Sequence, residues 1–160
     1  MKKINFLNNL YKEEKLKETA PSTDIKTAYL EKSAKSLSSA KILLKTGNLE
    51  DAVALAYYAM YHCLLALLFR VGIKCENHNA AIILLKEAFN IDNKEISKAK
   101  SERVDKQYYI DFSVTKNEVA ESIKIAEDFI AELTDFIEKL TEEKIKEYHN
   151  KITALIGIKK

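Results

Sequence analysis

The chain has 160 residues, with 26 Lys and Arg against 24 Asp and Glu for a net charge of +2. That length lets one domain bury a core without disulfide or metal support, and so small a charge gives no argument by itself for a nucleic-acid coat or a membrane surface. Gly occurs 3 times and Pro once, too few turn residues for a many-stranded sheet, so the chain reads as all-α, an antiparallel up-and-down helical bundle.

Ile4, Leu7, Leu10 and Tyr11 form a short helical stripe, and Pro21 then breaks the chain by disfavouring helix at Ala20. Residues 1–20 are thus an N-terminal helical appendage to a bundle over 22–140. Met1 to Leu16 is amphipathic and rich in Lys and Glu, with no apolar run or small-residue cleavage site of a signal peptide. Cys63 and Cys75 lack CxxC spacing. Together these features lead to an expectation of a reducing cytoplasm.

A helix is predicted over about 24–45, with Leu30, Ala34, Leu37, Ala40 and Leu44 on its inner face and a Lys- and Ser-rich face toward water. Gly47 supplies its left-handed end. Asn48 is placed to cap the next helix, about 49–71, whose first turn carries Glu50 and Asp51. Within it Ala52 to Phe69 has no formal charge, the length of a membrane span. Tyr57, Tyr58, Tyr61 and His62 sit near its middle, however, where a spanning helix carries hydrocarbon. A helix apolar on nearly all sides is the spine of a bundle, packed by protein.

Lys74 to Asn79 reads as a loop, followed by a short helix over about 79–89. Asp92 with Glu95 has capping-box spacing and opens a more polar helix through Arg103 to Tyr108. Thr115 with Glu118 repeats the spacing. Behind it Val119, Ile123, Ala126, Ile130, Leu133, Ile137 and Leu140 alternate in steps of four and three, a bundle seam over about 115–140. Beyond Thr141 the register slips to Ile145, Tyr148, Ile152 and Leu155, so residues 141–160 form a helical extension that either bends away or reaches toward a partner. A mildly basic stretch, Lys94 to Lys106, precedes the acidic helix Glu118 to Glu138, which a solvated face explains.

Little in the chain matches known chemistry. His62, His78 and His149 are far apart, no pair at helical spacing puts two ligands on one face, and no metal or cofactor is expected. Tyr58 and His62, four apart, can stack and exchange a hydrogen bond. No phosphate loop or nucleophile elbow is present. The remaining cluster is Arg103, Asp105, Lys106, Gln107, Tyr108 and Tyr109. There Arg has a fork of donors for phosphate and Tyr a ring to stack on a base; the plain alternative is an exposed helix stabilised by pairs such as Glu102 with Lys106.

Four landmarks, Gly47-Asn-Leu-Glu-Asp-Ala-Val53, Ala56-Tyr-Tyr-Ala-Met-Tyr-His62, Gly72-Ile-Lys74 with His78, and Glu102-Arg-Val-Asp-Lys-Gln-Tyr108, resemble those of the HEPN domain. The resemblance covers about 28–140 and is nearest to small stand-alone members often encoded beside a minimal nucleotidyltransferase. It implies a homodimer with a cleft between subunits, a cognate nucleotidyltransferase partner in a toxin-antitoxin-like pair, and Tyr57, Tyr58, His62 and His78 as landmark core positions.

Many HEPN proteins are metal-independent ribonucleases that pair an Arg with a His about four to six residues on. Arg103 fits that Arg, but Tyr108 stands where the His is expected. A phenol with a pKa near 10 is a poor proton shuttle beside imidazole near 6.5, and such help is worth about 10² to 10⁴ in rate. On an unbroken helix Arg103 and Tyr108 also point about 140° apart, whereas Gln107 shares the face of Arg103.

The leading expectation is therefore a non-catalytic or weakly active dimeric partner-binding module, with nucleotide or RNA bound near Arg103. Two rivals stay open. One is a ribonuclease toxin in which Tyr108, or His62 or His78 brought close by folding, replaces the usual His. The other is a structural adaptor whose acidic last helix docks a basic surface.

Overall fold

The spine helix organises everything around it. The structure, a computed structural model, describes residues 1–108 and 113–157, apart from the side chains of 105–108. Among the described residues there are seven helices: α1 (Lys2–Lys12), α2 (Thr23–Thr46), α3 (Leu49–Arg70), α4 (His78–Glu87), α5 (Lys94–Tyr108), α6 (Lys116–Glu138) and α7 (Glu142–Leu155). Two short strands accompany them, β1 (Leu16–Glu18) and β2 (Ile73–Cys75). The chain is all-α apart from this ribbon, as the composition predicts.

Helix α3 is long and apolar enough to cross a membrane, yet 72% of its most apolar stretch is buried inside the protein. It packs against α2, α6, α5 and α4. Leu64, Leu67 and Leu68 are fully buried on several sides of it, as expected of a helix with no polar face.

Helix α2 lies along α3 with the predicted stripe inward except at Ala34. Ser33 and Ala40 are buried, Leu30, Leu37 and Leu44 flank them half-buried, and Ala34 faces water. The Ser33 hydroxyl donates to the Ala59 carbonyl at 2.6 Å. A small side chain lets the two backbones approach, and the bond satisfies the buried hydroxyl. Part of the serine face expected in solvent therefore forms the helix contact. Ser22 accepts from the Ile25 amide at the start of α2, and Gly47 ends it in the left-handed conformation at φ 82°. Asn48 makes no side-chain cap on α3; its amide instead donates to Thr46 Oγ1 at 2.9 Å.

Part of the predicted 74–79 loop is β2, antiparallel to β1 with Leu16 opposite Cys75 and Glu18 opposite Ile73. Between α3 and β2 the chain turns at Gly72, φ 78°, where a Cβ would lie 2.6 Å from the Thr19 carbonyl oxygen. Helix α4 opens one residue earlier than predicted, capped by Asn77, whose side chain accepts from the Ala80 amide at 3.0 Å. Helix α5 starts at Lys94, with Asp92 accepting from the Lys94 amide at 3.1 Å. The Thr115 and Glu118 box forms with both bonds present, at 2.7 and 3.2 Å, and Val119, Ile123, Ala126, Leu133 and Ile137 turn into the core.

Both ends of the chain join this core. Leu7 and Leu10 of α1 are buried, and α1 packs on α4 and α7. Helix α7 folds back rather than away, burying Ile145 and Ile152 and setting Tyr148 against Phe89 and Phe136. His149 Nδ1 donates to the Val71 carbonyl at 2.8 Å while Nε2 lies 3.0 Å from Glu18, tying α7 to the α3 turn and to β1.

Candidate functional site

Helix α3 carries Tyr57, Tyr58, Tyr61 and His62 within two turns, so that their side chains leave it in different directions. Tyr57 and Tyr61 are buried; Tyr58 and His62 are half-buried. Two neighbouring elements complete the cluster. His78 comes from the first residue of α4 and Arg103 from α5, and both are half-buried.

Arg103 does not point away from the bundle, as an exposed helical residue would. Its Nη1 donates to Tyr58 Oη at 3.0 Å, and its guanidinium carbon lies 5.3 Å from the centres of both the Tyr57 and the Tyr58 rings. A cation over two ring faces gains from their quadrupoles, by about 0.5 to 2 kcal/mol depending on desolvation.

His78 meets the same tyrosines from the other element. Tyr57 Oη lies 2.6 Å from His78 Nδ1, and the imidazole stacks on Tyr61 with centres 3.8 Å apart and planes 13° from parallel. Burial raises the Tyr57 pKa well above the usual phenol range, with the Arg103 charge opposing that shift. Burial, then the charges of Arg103 and Lys100, lower that of His78. The phenol therefore keeps its proton and the imidazole stays neutral. A buried hydroxyl proton needs an acceptor, and Nδ1 supplies it, which assigns the ring proton of His78 to Nε2.

Tyr58 and His62 stack as their spacing predicts, at 6.1 Å and 23°. They are not each other's hydrogen-bond partners here: His62 Nδ1 faces Ser36 Oγ at 3.3 Å, and Tyr58 Oη accepts from Arg103. Burial, followed by the Lys32 and His78 charges, pushes the His62 pKa down to about 4.

Of the residues singled out in the sequence, folding thus unites Arg103, Tyr57, Tyr58, His62 and His78. The side chains of Asp105, Lys106, Gln107 and Tyr108 lie outside the described residues, as does Tyr109. Glu102 approaches Lys98 at 4.0 Å. Two contributors are new to the site: Tyr61, legible in the sequence only as part of the spine, is the stacking floor of His78, and Ser36 is the partner of His62. Tyr61 lies four residues from Tyr57, which puts both on one helical face and was the available signal.

A cleft that shares Tyr57 with this cluster is mainly acidic, with four glutamates against Lys98. It measures about 220 Å³, lies between α3, α5 and α6, and is lined by Glu95, Glu102, Glu118 and Glu121, with Tyr57 and Met60 among its apolar walls. Among the described residues no three His, Cys, Asp or Glu side chains group as a metal site.

Comparison with known proteins gives this arrangement its family. A segment of 46 residues, 29% of the chain, is 46% identical to a UPF0332 protein of Pyrococcus horikoshii and spans 32% of that protein's length. Residues 27–143 match the family model of the HEPN domain, nearly the span over which the landmarks were read. This chain belongs to the HEPN domain family.

Proposed function

We propose that this HEPN protein is a non-catalytic or weakly active homodimeric module of the cytoplasm. It pairs with a minimal nucleotidyltransferase in a toxin-antitoxin-like system and binds the phosphate of a nucleotide or RNA at Arg103. Arg103 carries the proposal. A guanidinium seated between two tyrosine rings and bonded to one hydroxyl is positioned before any ligand arrives, so little side-chain freedom is lost on binding. Support for the protein partner comes from the likeness to stand-alone HEPN proteins encoded beside nucleotidyltransferases.

Two experiments test the two halves of the proposal. Co-expression with the neighbouring reading frame should give one co-eluting complex of a dimer with its partner; independent elution at micromolar concentration contradicts the pairing. Arg103→Ala should abolish binding of RNA or nucleotide while the urea midpoint stays within reach of wild type. Unchanged affinity contradicts the ligand site.

A second reading is favoured by one specific contact, the bond between Tyr57 and His78 beside Arg103. In a ribonuclease the phosphate would be gripped by Arg103, and the Nε2–H of neutral His78 would add a hydrogen bond to a phosphate oxygen, stabilising charge there without transferring its proton. RNA decay that disappears in both Arg103→Ala and His78→Ala, with folding intact, supports this activity. Decay equal to wild type in either variant dismisses it.

A further inference from the structure

Helices α5 and α6 both pack on α3, and a trough with two hollows lies along the flank of α6 that faces α5. The acidic cleft of about 220 Å³ is bounded on α6 by Glu118, Glu121, Ser122 and Ile125, and a second hollow of about 200 Å³ by Phe129, Glu132, Leu133 and Phe136. Each residue of the second set stands about three helical turns after its counterpart in the first, which puts both sets on one face with centres about 16 Å apart. Across the trough the order runs the other way: Glu95, Lys98 and Glu102 of α5 border the first hollow, and Asp92, just before α5, borders the second. The second hollow is preformed. Half-buried Phe129 and Phe136 wall it over buried Leu133, and Phe89 and Tyr148 back Phe136 with ring centres at 6.1 and 6.0 Å. Lys98 is the one cation among the described lining residues of the two hollows. Asp92 and Glu118 accept helix-cap bonds, whereas Glu95, Glu121 and Glu132 are exposed and enter no ion pair among the described residues.

We infer that this trough seats a basic amphipathic helix of a partner protein, with one apolar side chain in each hollow and Lys or Arg beside them facing Glu95, Glu121 and Glu132. Charge selects that occupant first, because carboxylates on both walls attract a cationic segment and repel nucleic acid and acidic protein. Spacing selects it again. On a helix about 16 Å is about three turns, which returns a side chain to nearly the same face. On an extended strand the same length is about five residues, which turns the two side chains to opposite faces. Backing of Phe136 by Phe89 and Tyr148 fixes the second hollow before the helix arrives, so little order is lost on docking. Occupancy of the trough requires nothing of the phosphate site at Arg103.

The test measures binding of three labelled helical peptides to the full chain by fluorescence anisotropy: a Lys-rich helix with two Leu about three turns apart on one face, the same composition with the second Leu moved to the opposite face, and a Glu-rich version of the first. The first should bind at micromolar concentration, and moving the second Leu should weaken it about tenfold, the loss of one buried side chain. Phe129→Ala should weaken the first peptide about tenfold. Glu121→Lys combined with Glu132→Lys, both at exposed positions that folding tolerates, should do the same at low salt and flatten the salt dependence. Equal affinity for the two Leu arrangements, or wild-type affinity in a folded Phe129→Ala, overturns the two-hollow site. Wild-type affinity in the charge-reversed variant, or equal binding of the Glu-rich peptide, overturns the basic partner. A dimer that dissociates only in the charge-reversed variant assigns the trough to a second copy of the chain and overturns the partner helix. Failure of wild type to bind the first peptide overturns the proposal outright.

Discussion

His62 makes stability depend on pH in a way that can be worked out in sign and size. Its pKa falls to about 4 because the ring is partly withdrawn from water beside Lys32 and His78, against about 6.5 for an unfolded histidine. The unfolded chain therefore binds a proton between those two values while the folded chain does not, so His62 contributes stability that is whole above about pH 6.5 and is lost as the pH falls toward 4. At about 1.4 kcal/mol per pKa unit the full shift corresponds to roughly 3 kcal/mol. The ring is half-buried, and solvent screening reduces this to about 1 to 2 kcal/mol.

Urea unfolding of wild type and His62→Gln at pH 7, 5.5 and 4.5 isolates that contribution, because the substitution removes the titrating group and leaves His78 and the carboxylates common to both proteins. The gap in unfolding free energy between the two should close by about 1 to 2 kcal/mol on going from pH 7 to 4.5, with the urea slope of each protein unchanged. Parallel pH profiles would refute the reasoning and place the His62 ring in water.

Three further outcomes follow from the same geometry. Tyr57→Phe deletes the partner of His78 Nδ1 and should cost about 1 to 3 kcal/mol while raising the His78 pKa; an unchanged imidazole titration by NMR contradicts the bond. Gly72→Ala meets both a left-handed backbone and the Thr19 carbonyl oxygen 2.6 Å from the new Cβ, so the urea midpoint should fall by at least the equivalent of about 1 to 3 kcal/mol, and a wild-type midpoint contradicts the close approach of the 19–21 segment. Thr115→Ala breaks one reciprocal bond of the α6 cap and should cost about 1 kcal/mol, read as a shift in urea midpoint; no shift shows that the cap is not formed in solution.

What could be read in the sequence follows from how local each signal is. The α3 spine, the α6 seam and the Thr115 box are encoded within a few turns of chain, and they stand where composition and spacing put them. The β1 and β2 ribbon was illegible because three-residue strands show no alternation and the pairing joins segments more than fifty residues apart. On α2 the stripe of Leu30, Leu37, Ala40 and Leu44 was legible, whereas Ser33 was not, because serine reads as a solvent-face residue and here close helix approach selects it for its size. At the site, the stacking of Tyr58 on His62 follows from i, i+4 spacing. The meeting of His78 with Tyr57 and of Arg103 with Tyr58 depends on how α4 and α5 return to α3, and no local pattern encodes it.

The central claim is that Arg103, seated on Tyr57 and Tyr58, is where an anionic ligand binds. Its most direct measurement is the titration of wild type and Arg103→Gln with a short single-stranded RNA, followed through the Tyr and His ring signals by NMR. The account predicts saturable shifts of Tyr58, His62 and His78 in wild type and their loss in the variant. Equal shifts in both proteins, or shifts confined to rings remote from these three, would contradict it.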